Sequence, residues 1–315
     1  MKFVTFAHLN QTIGANLHRL PEDVDLVVGV PRSGLMAAVL IALQKNLPVT
    51  DLEGLAEDRV KPAGTTRPRA SWIESVSQAR HVLIVDDSIS TGEAMDRARA
   101  HVESLGLNAR VTYLALFALP SNFFSVDLYF EIINHPRLFE WNYMHHWALA
   151  HACVDIDGVL CEDPGRRDND DGLRYRQFLE QAAPRLLPTK PVGTVVTSRL
   201  GKYRALTEDW LARHGVEYGD LVMLEGVTAR ERRWGGGHAR FKAEVYASTP
   251  HALFIESSYA QAVEICQLTE RPVFSVEHSE LIEPEGIAPH LRTLARDWRI
   301  TTRQVVRKLL SRLRR

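Results

Sequence analysis

His81-Val82-Leu83-Ile84-Val85-Asp86-Asp87-Ser88-Ile89-Ser90-Thr91-Gly92 reads as three parts. Val82 to Val85 is a continuous apolar run, the pattern of a strand buried on both faces. It ends in two adjacent carboxylates. A Ser/Thr/Gly loop follows, and Glu93-Ala94-Met95-Asp96-Arg97-Ala98-Arg99-Ala100 then reads as a helix. Strand, small-residue loop and helix N-terminus together make an anion site. Backbone N–H groups and the helix dipole face the ligand, and Ser88, Ser90 and Thr91 add hydroxyls. Asp86 and Asp87 are expected at its rim, where they can grip vicinal hydroxyls. A ligand with a phosphate at one end and a diol in its middle is a ribose 5-phosphate.

This run resembles the phosphoribosyl-pyrophosphate (PRPP) motif of the type I phosphoribosyltransferases. The resemblance implies Mg²⁺-bound PRPP as ligand. Asp86 and Asp87 would hold the ribose hydroxyls, and Ser88, Ile89, Ser90, Thr91 and Gly92 the 5-phosphate. Upstream, Leu9 to Leu20 has helical spacing, and Asp25 to Val30 reads as a buried strand. That strand runs into Pro31-Arg32-Ser33-Gly34 and an apolar helix, Leu35 to Leu43. Such a tetrapeptide is usually only a turn. Its place, one strand–helix unit before the Asp pair, assigns Arg32, Ser33 and Gly34 to the pyrophosphate by the same resemblance.

Gly54 to Arg69 is polar and loop-like. Type I transferases carry a mobile loop here that closes over the reacting carbon, which makes Lys61, Arg67 and Arg69 candidate cations. Strands are expected at Val111–Ala118 and Asp127–Ile133. Pro136 to Trp147 is rich in aromatics. Glu140, Trp141 and Asn142 are candidates to stack on a flat heterocycle and bond its edge. The competing reading is that Phe139, Trp141 and Trp147 are buried for packing.

His151-Ala152-Cys153-Val154-Asp155-Ile156-Asp157-Gly158 opens a second domain. Two carboxylates spaced by two lie on one side of a short strand. The stretch resembles motif one of the haloacid dehalogenase (HAD) superfamily. That resemblance implies Asp155 as nucleophile, forming an aspartyl-phosphate, and Asp157 as acid and then base. Further motifs follow in order. Val192–Val196 is a strand ending in Thr197-Ser198-Arg199, with Thr197 and Ser198 as phosphate binders. Lys242 at the start of a helix is the motif-three cation, with Lys202 as fallback. The strand Ala252–Ile255 ends in Glu256-Ser257-Ser258. Asp155, Asp157 and Glu256 are the implied Mg²⁺ ligands. The family more often has Asp at position 256, commonly with a second Asp. Ser257 and Ser258 stand where that acid would be, so the metal site is one carboxylate short. The loop Thr228–His238 is basic. Beyond Glu280 the chain reads as a basic amphipathic helix, open to RNA, acidic lipid or a partner as well as to packing on the body.

The chain has 315 residues, 45% hydrophobic and 24% charged, enough for two domains with their own cores. A net charge of −1 leaves no bulk field to recruit nucleic acid or membrane. No apolar run approaches the roughly 20 residues of a membrane span. The N-terminus lacks a secretory h-region. Three sparse cysteines, Cys153, Cys161 and Cys266, point to reduced thiols and a cytoplasmic protein.

The expected architecture is α/β throughout: two mainly parallel sheets flanked by helices. A phosphoribosyltransferase-like domain spans 1–149, a HAD-like Rossmannoid domain 150–278, and a basic helical extension 279–315. The expected function is bifunctional: Mg²⁺-dependent transfer between PRPP and a nucleobase-like acceptor, plus phosphate-monoester hydrolysis, in nucleotide or nucleoside salvage or synthesis. The alternative is a PRPP- or nucleotide-sensing or RNA-binding first domain that controls a HAD phosphatase or non-catalytic module. A homodimer is left open.

Overall fold

The computed structural model describes residues 1–64, 73–165, 168, 172–225 and 237–286. Arg67, Arg69, nearly all of the basic loop 228–238 and the basic helix beyond 286 lie outside the described residues. The chain divides into two compact units, Lys2–Trp141 and Asn142 onward, so the second begins ahead of the expected boundary at 149/150.

The first unit runs β1 (Lys2–Val4), α1 (Phe6–Asn16), β2 (Leu26–Gly29), α2 (Ser33–Lys45), β3 (Val49–Asp51), α3 (Leu52–Ala56), β4 (His81–Ser88), α4 (Glu93–Ser104), β5 (Arg110–Ala118), β6 (Leu128–Ile132) and β7 (Arg137–Phe139). Helix α1 starts earlier than its apolar spacing suggests, because Thr5 caps it by accepting the His8 N–H at 3.1 Å. Five strands form a parallel sheet in the order β3-β2-β4-β5-β6. In β4, Leu83 and Val85 pack into the core under α1 and α2, while Val82 and Ile84 pack into the core under α4. The strand is therefore buried on both faces, and each such side chain contributes about 1.5–3 kcal/mol. The ladder with β5 continues past the apolar run, pairing Asp86 with Ala115 and Ser88 with Phe117. The strands β1 and β7 pair with each other in a separate two-stranded parallel sheet.

The second unit runs β8 (Ala152–Val154), α5 (Leu173–Gln181), β9 (Val192–Leu200), α6 (Arg204–Arg213), β10 (Tyr218–Leu224), α7 (Gly237–Ser248), β11 (Leu253–Glu256), α8 (Tyr259–Thr269), β12 (Val273–Ser275) and β13 (Glu280–Ile282). The sheet order is β10-β9-β8-β11-β12-β13. All pairs are parallel except β12 with β13. The sheet thus extends past residue 278, and Glu280–Ile282 belongs to it rather than to a helical extension. Lys242 lies mid-way along α7, not at its start, because the helix begins at Gly237.

Both sheets reverse direction beside a central strand. From β2 the chain steps outward to β3 and then returns to β4 on the other side of β2. From β8 it steps out through β9 and β10 and then returns to β11 on the other side of β8. At such a reversal the loops leaving the carboxyl ends diverge and open a crevice. The first crevice lies between the ends of β2 and β4, the second between those of β8 and β11. Among the described residues no helix is long and apolar enough to cross a membrane.

Gly34, in the first turn of α2, makes the first crevice tight. A Cβ there would lie 2.7 Å from the Val85 carbonyl oxygen, 2.8 Å from Asp86 Oδ1 and 2.9 Å from Asp86 Cα. Gly34→Ala would gain up to about 1 kcal/mol of helix propensity. The overlap with β4 backbone costs more, about 1–3 kcal/mol or beyond. A lower urea midpoint with an unchanged m-value is the expected result; an unchanged or higher midpoint contradicts the close packing.

Candidate functional site

Asp86 and Asp87 are buried, at 6% and 3% exposure, rather than standing at a rim. The continued β4–β5 ladder draws them in, Gly34 closes over Asp86, and Trp141 closes over Asp87. Asp86 Oδ1 accepts the Asp87 N–H at 2.9 Å. Asp87 Oδ2 accepts the Trp141 Nε1–H at 2.7 Å. No cationic side chain lies within ion-pair distance of either carboxylate among the described residues. Burial, followed by the neighbouring Asp87 charge, pushes the Asp86 carboxyl up to about 8.

The loop Ser88–Gly92 follows directly. The Ile89 N–H donates to the Phe117 carbonyl at 3.0 Å. The Ile89 carbonyl accepts from Arg137 at 2.5 Å, and the Ser90 carbonyl accepts from Asn122 Nδ2. Ser90 Oγ bonds His135 Nε2 at 3.3 Å. Gly92 adopts φ +90°, the left-handed region that glycine enters freely, and caps α4. The N–H groups of Ser90, Thr91 and Gly92 have no acceptor among the described residues. They lie at a helix N-terminus beside two carboxylates, an arrangement whose donors can take an anion.

The other expected residues fall unevenly. Gly34 touches Asp86, while Arg32 is exposed beside a cis Pro31–Arg32 peptide. Lys61 is tied by its backbone to Val49 of β3, with β2 between it and β4, and its side chain is exposed. Glu140 Oε2 accepts the Phe6 N–H at 2.8 Å, at the first turn of α1. The Trp141 ring lies among Phe139, Phe6 and Phe117, with centroids at 5.0, 5.7 and 6.4 Å. The packing alternative therefore holds for its ring, while its N–H reaches the site. Asn142 belongs to the second unit.

In the second unit, Asp155 follows β8 and Glu256 ends β11. Lys242 reaches down from α7 and donates to Asp155 Oδ2 at 2.8 Å and to Glu256 Oε2 at 2.7 Å. Burial raises the Asp155 carboxyl, an effect Lys242 opposes and Glu256 reinforces. Burial works against the Lys242 charge, but its two carboxylate partners outweigh that and hold it above its ordinary value. Lys202 lies over the Tyr203 ring, so the fallback does not apply. Asp155, Asp157, Asp163, Ser198, Lys242 and Ser257 share the wall of a cavity of about 180 Å³.

Thr197 departs from expectation. It is fully buried and its Oγ1 accepts the Arg199 N–H, while its neighbour Ser198 lines the cavity. Asp157 departs further. Arg199, with no exposed side-chain surface, bonds both of its oxygens, the shortest contact being 2.6 Å. The three implied metal ligands are each hydrogen-bonded within the protein. Asp155 Oδ1 accepts the Ile156 N–H, and Glu256 Oε1 accepts from Ser257 and Ser258. Every oxygen of Asp155, Asp157 and Glu256 thus already accepts a bond from the protein. Among the described residues no three acids, histidines or cysteines converge on a metal position.

Asp163, Tyr175 and Gln261 also line the cavity, and no motif marked them; His238, at the end of the basic loop read from the sequence, lines it too. Arg199 was legible: strand alternation puts it on the side of Thr197, opposite Ser198.

Residues 6–131 match the phosphoribosyl transferase domain family. That stretch is a type I phosphoribosyltransferase domain. The chain is 26% identical over 186 residues to an amidophosphoribosyltransferase of Staphylococcus epidermidis, covering 51% of this chain and 37% of that protein. It is 32% identical over 98 residues to an orotate phosphoribosyltransferase of Staphylothermus marinus, covering 31% of this chain and 44% of that protein. The chain therefore spans less than half the length of these relatives. A solved purine phosphoribosyltransferase from Pyrococcus horikoshii aligns at 22% identity and a TM-score of 0.32, over 44% of this chain and 92% of that one. The β2–α2 and β4–α4 turns described above both lie within the transferase domain.

Asp86→Asn removes the charge and keeps the shape. The folded-state value of Asp86, about 8, is above its unfolded value of 3.8, so its stability contribution is present at low pH and lost as pH rises. The variant should outlast the parent in thermal melts by a margin that grows from pH 5 to 8 and is flat above. A constant margin rules this out. Arg199→Met leaves Asp157 facing a vacated cation site, at a cost of about 3 kcal/mol. Adding Asp157→Asn should recover most of that loss in urea unfolding; failure to recover shows the pair is not the cause.

Proposed function

We propose that the transferase domain moves a phosphoribosyl group between PRPP and a nucleobase-like acceptor. The second unit hydrolyses a phosphate monoester through Asp155, and the two act in nucleotide or nucleoside salvage or synthesis. The observation that carries the first half is the placing of three loop N–H groups, with no acceptor among the described residues, beside two adjacent carboxylates that have no ion-pair partner among those residues, at a chain reversal.

In this reading the Ser90, Thr91 and Gly92 N–H groups hold the 5-phosphate, and Arg32, Ser33 and Gly34 hold the pyrophosphate. Asp86 and Asp87 hold the ribose hydroxyls and face the positive charge that grows on the sugar as pyrophosphate departs. Hard carboxylate oxygens with no ion-pair partner among the described residues suit Mg²⁺ arriving with PRPP, which would neutralise the leaving pyrophosphate. Trp141 holds Asp87 in place through its indole N–H. The fusion motivates a shared ribose 5-phosphate moiety, made or broken by one unit and dephosphorylated by the other.

One observation favours a second reading of the Asn142-onward unit. Asp157 is committed to Arg199, and an acid so held is poorly placed to exchange a proton with a leaving group. In that reading the unit binds a ligand without turning it over, and the transferase domain acts alone or as a PRPP sensor.

Incubation with PRPP, Mg²⁺ and a panel of bases tests the first half, with base-dependent pyrophosphate release as the expected outcome. Asp86→Asn should lower that release by roughly 10²-fold or more. No release across the panel counts against transfer. For the second unit, hydrolysis of p-nitrophenyl phosphate or a nucleoside monophosphate should vanish in Asp155→Asn. Equal rates in parent and variant leave the binding reading.

A further inference from the structure

Arg137 is 1% exposed, and no carboxylate lies within ion-pair distance of it among the described residues. A buried cation without an ion-pair partner is costly, and a guanidinium brings five N–H donors that need acceptors. This one gives two of them to carbonyls: Ile89 at 2.5 Å and Ile133 at 3.4 Å. Burial brings Arg137 down to about 10, with Asp87 opposing. It is carried there by β7, whose register sets Arg137 opposite Lys2 of β1. The transferase motifs lie elsewhere, on the β2–α2 and β4–α4 turns.

The geometry of the peptide bond explains what the arrangement does. In a trans peptide the carbonyl and the following N–H point to opposite sides. The Ile89–Ser90 and Ser90–Thr91 peptides are trans. Arg137 holds the Ile89 carbonyl, so the Ser90 N–H must point away from Arg137. Asn122 Nδ2 holds the Ser90 carbonyl, so the Thr91 N–H must point away from Asn122. Asn122 is itself fixed, because its Oδ1 accepts the Leu119 N–H at 3.0 Å. Two of the three unengaged loop N–H groups thus owe their direction to side chains outside the loop. Arg137 adds a positive charge beneath the position the anion takes.

We propose that Arg137 and Asn122 are positioning residues for the phosphate end of a sugar-phosphate ligand, aiming the Ser90 and Thr91 N–H groups at it from behind the loop. This rests on the phosphoribosyl-transfer reading, and it says which residues outside the loop make the cradle competent. It also divides the ligand. The sugar phosphate depends on Arg137 and Asn122, whereas pyrophosphate, held at the β2–α2 turn, does not.

Calorimetric titration of the full chain with ribose 5-phosphate and, separately, with Mg²⁺–pyrophosphate reads that division. Arg137→Met should weaken ribose 5-phosphate about tenfold or more, since it removes a charged donor. Asn122→Ala should weaken it several-fold, and Arg137→Lys, which keeps the charge, should fall between parent and Arg137→Met. Pyrophosphate binding should stay within about twofold in all three. Loss of both ligands together in a variant that still melts cooperatively shows a general structural role and overturns the proposal. So does ribose 5-phosphate binding by Arg137→Met that equals the parent's. If the parent itself binds neither ligand, the phosphoribosyl-transfer reading fails and this inference falls with it. Should Arg137→Met not fold, Asn122→Ala and Arg137→Lys decide on the same criterion.

Discussion

Two carboxylates set side by side in a buried strand repel each other, and water is not there to screen them. Asp86 and Asp87 are in that position, and the first unit is arranged around it. The strand cannot end before them, because the ladder with β5 runs on to Ser88. Neighbours close in without neutralising them. Gly34 brings only a backbone, the Asp87 N–H turns back onto Asp86, and Trp141 offers a neutral N–H to Asp87. What remains is a carboxyl pair that burial makes costly to charge, beside loop N–H groups with no acceptor among the described residues. A bound cation and a ligand with hydroxyls and a phosphate would relieve both at once.

The second unit handles the same problem differently. Its acids lie at the same kind of chain reversal, yet each is answered from within: Lys242 lies between Asp155 and Glu256, and Arg199 clamps Asp157. Resolved this way, the charges line a defined cavity wall. The contrast follows from one position. Arg199 follows Ser198 on a strand whose alternation sends it inward, where an uncharged residue would have left Asp157 open to the cavity.

The first unit also shows how a site is made by segments that carry none of its motif. The small sheet of β1 and β7 presents Arg137 to the Ile89 carbonyl, and Trp141, just beyond β7, reaches Asp87 two residues earlier. Part of the aromatic stretch braces the fold, with Glu140 capping α1 and Trp141 packed among Phe139, Phe117 and Phe6, while Trp147 is exposed.

Local pattern alone determined the two-faced burial of β4, the strand–loop–helix units after β2 and β4, and the order Asp155, Thr197-Ser198, Lys242, Glu256 along the second unit. Those features depend on neighbours close in the chain: side-chain alternation, helix caps and turn residues act over a few positions. Tertiary structure alone decided the rest. Nothing local says that β4 returns to the far side of β2, that Arg137 lies beneath a loop some fifty residues earlier, or that Arg199 claims Asp157. Each is a meeting of distant segments, set by which sheet edges pair and which buried charges must find a partner, and such meetings leave no periodic trace in the sequence.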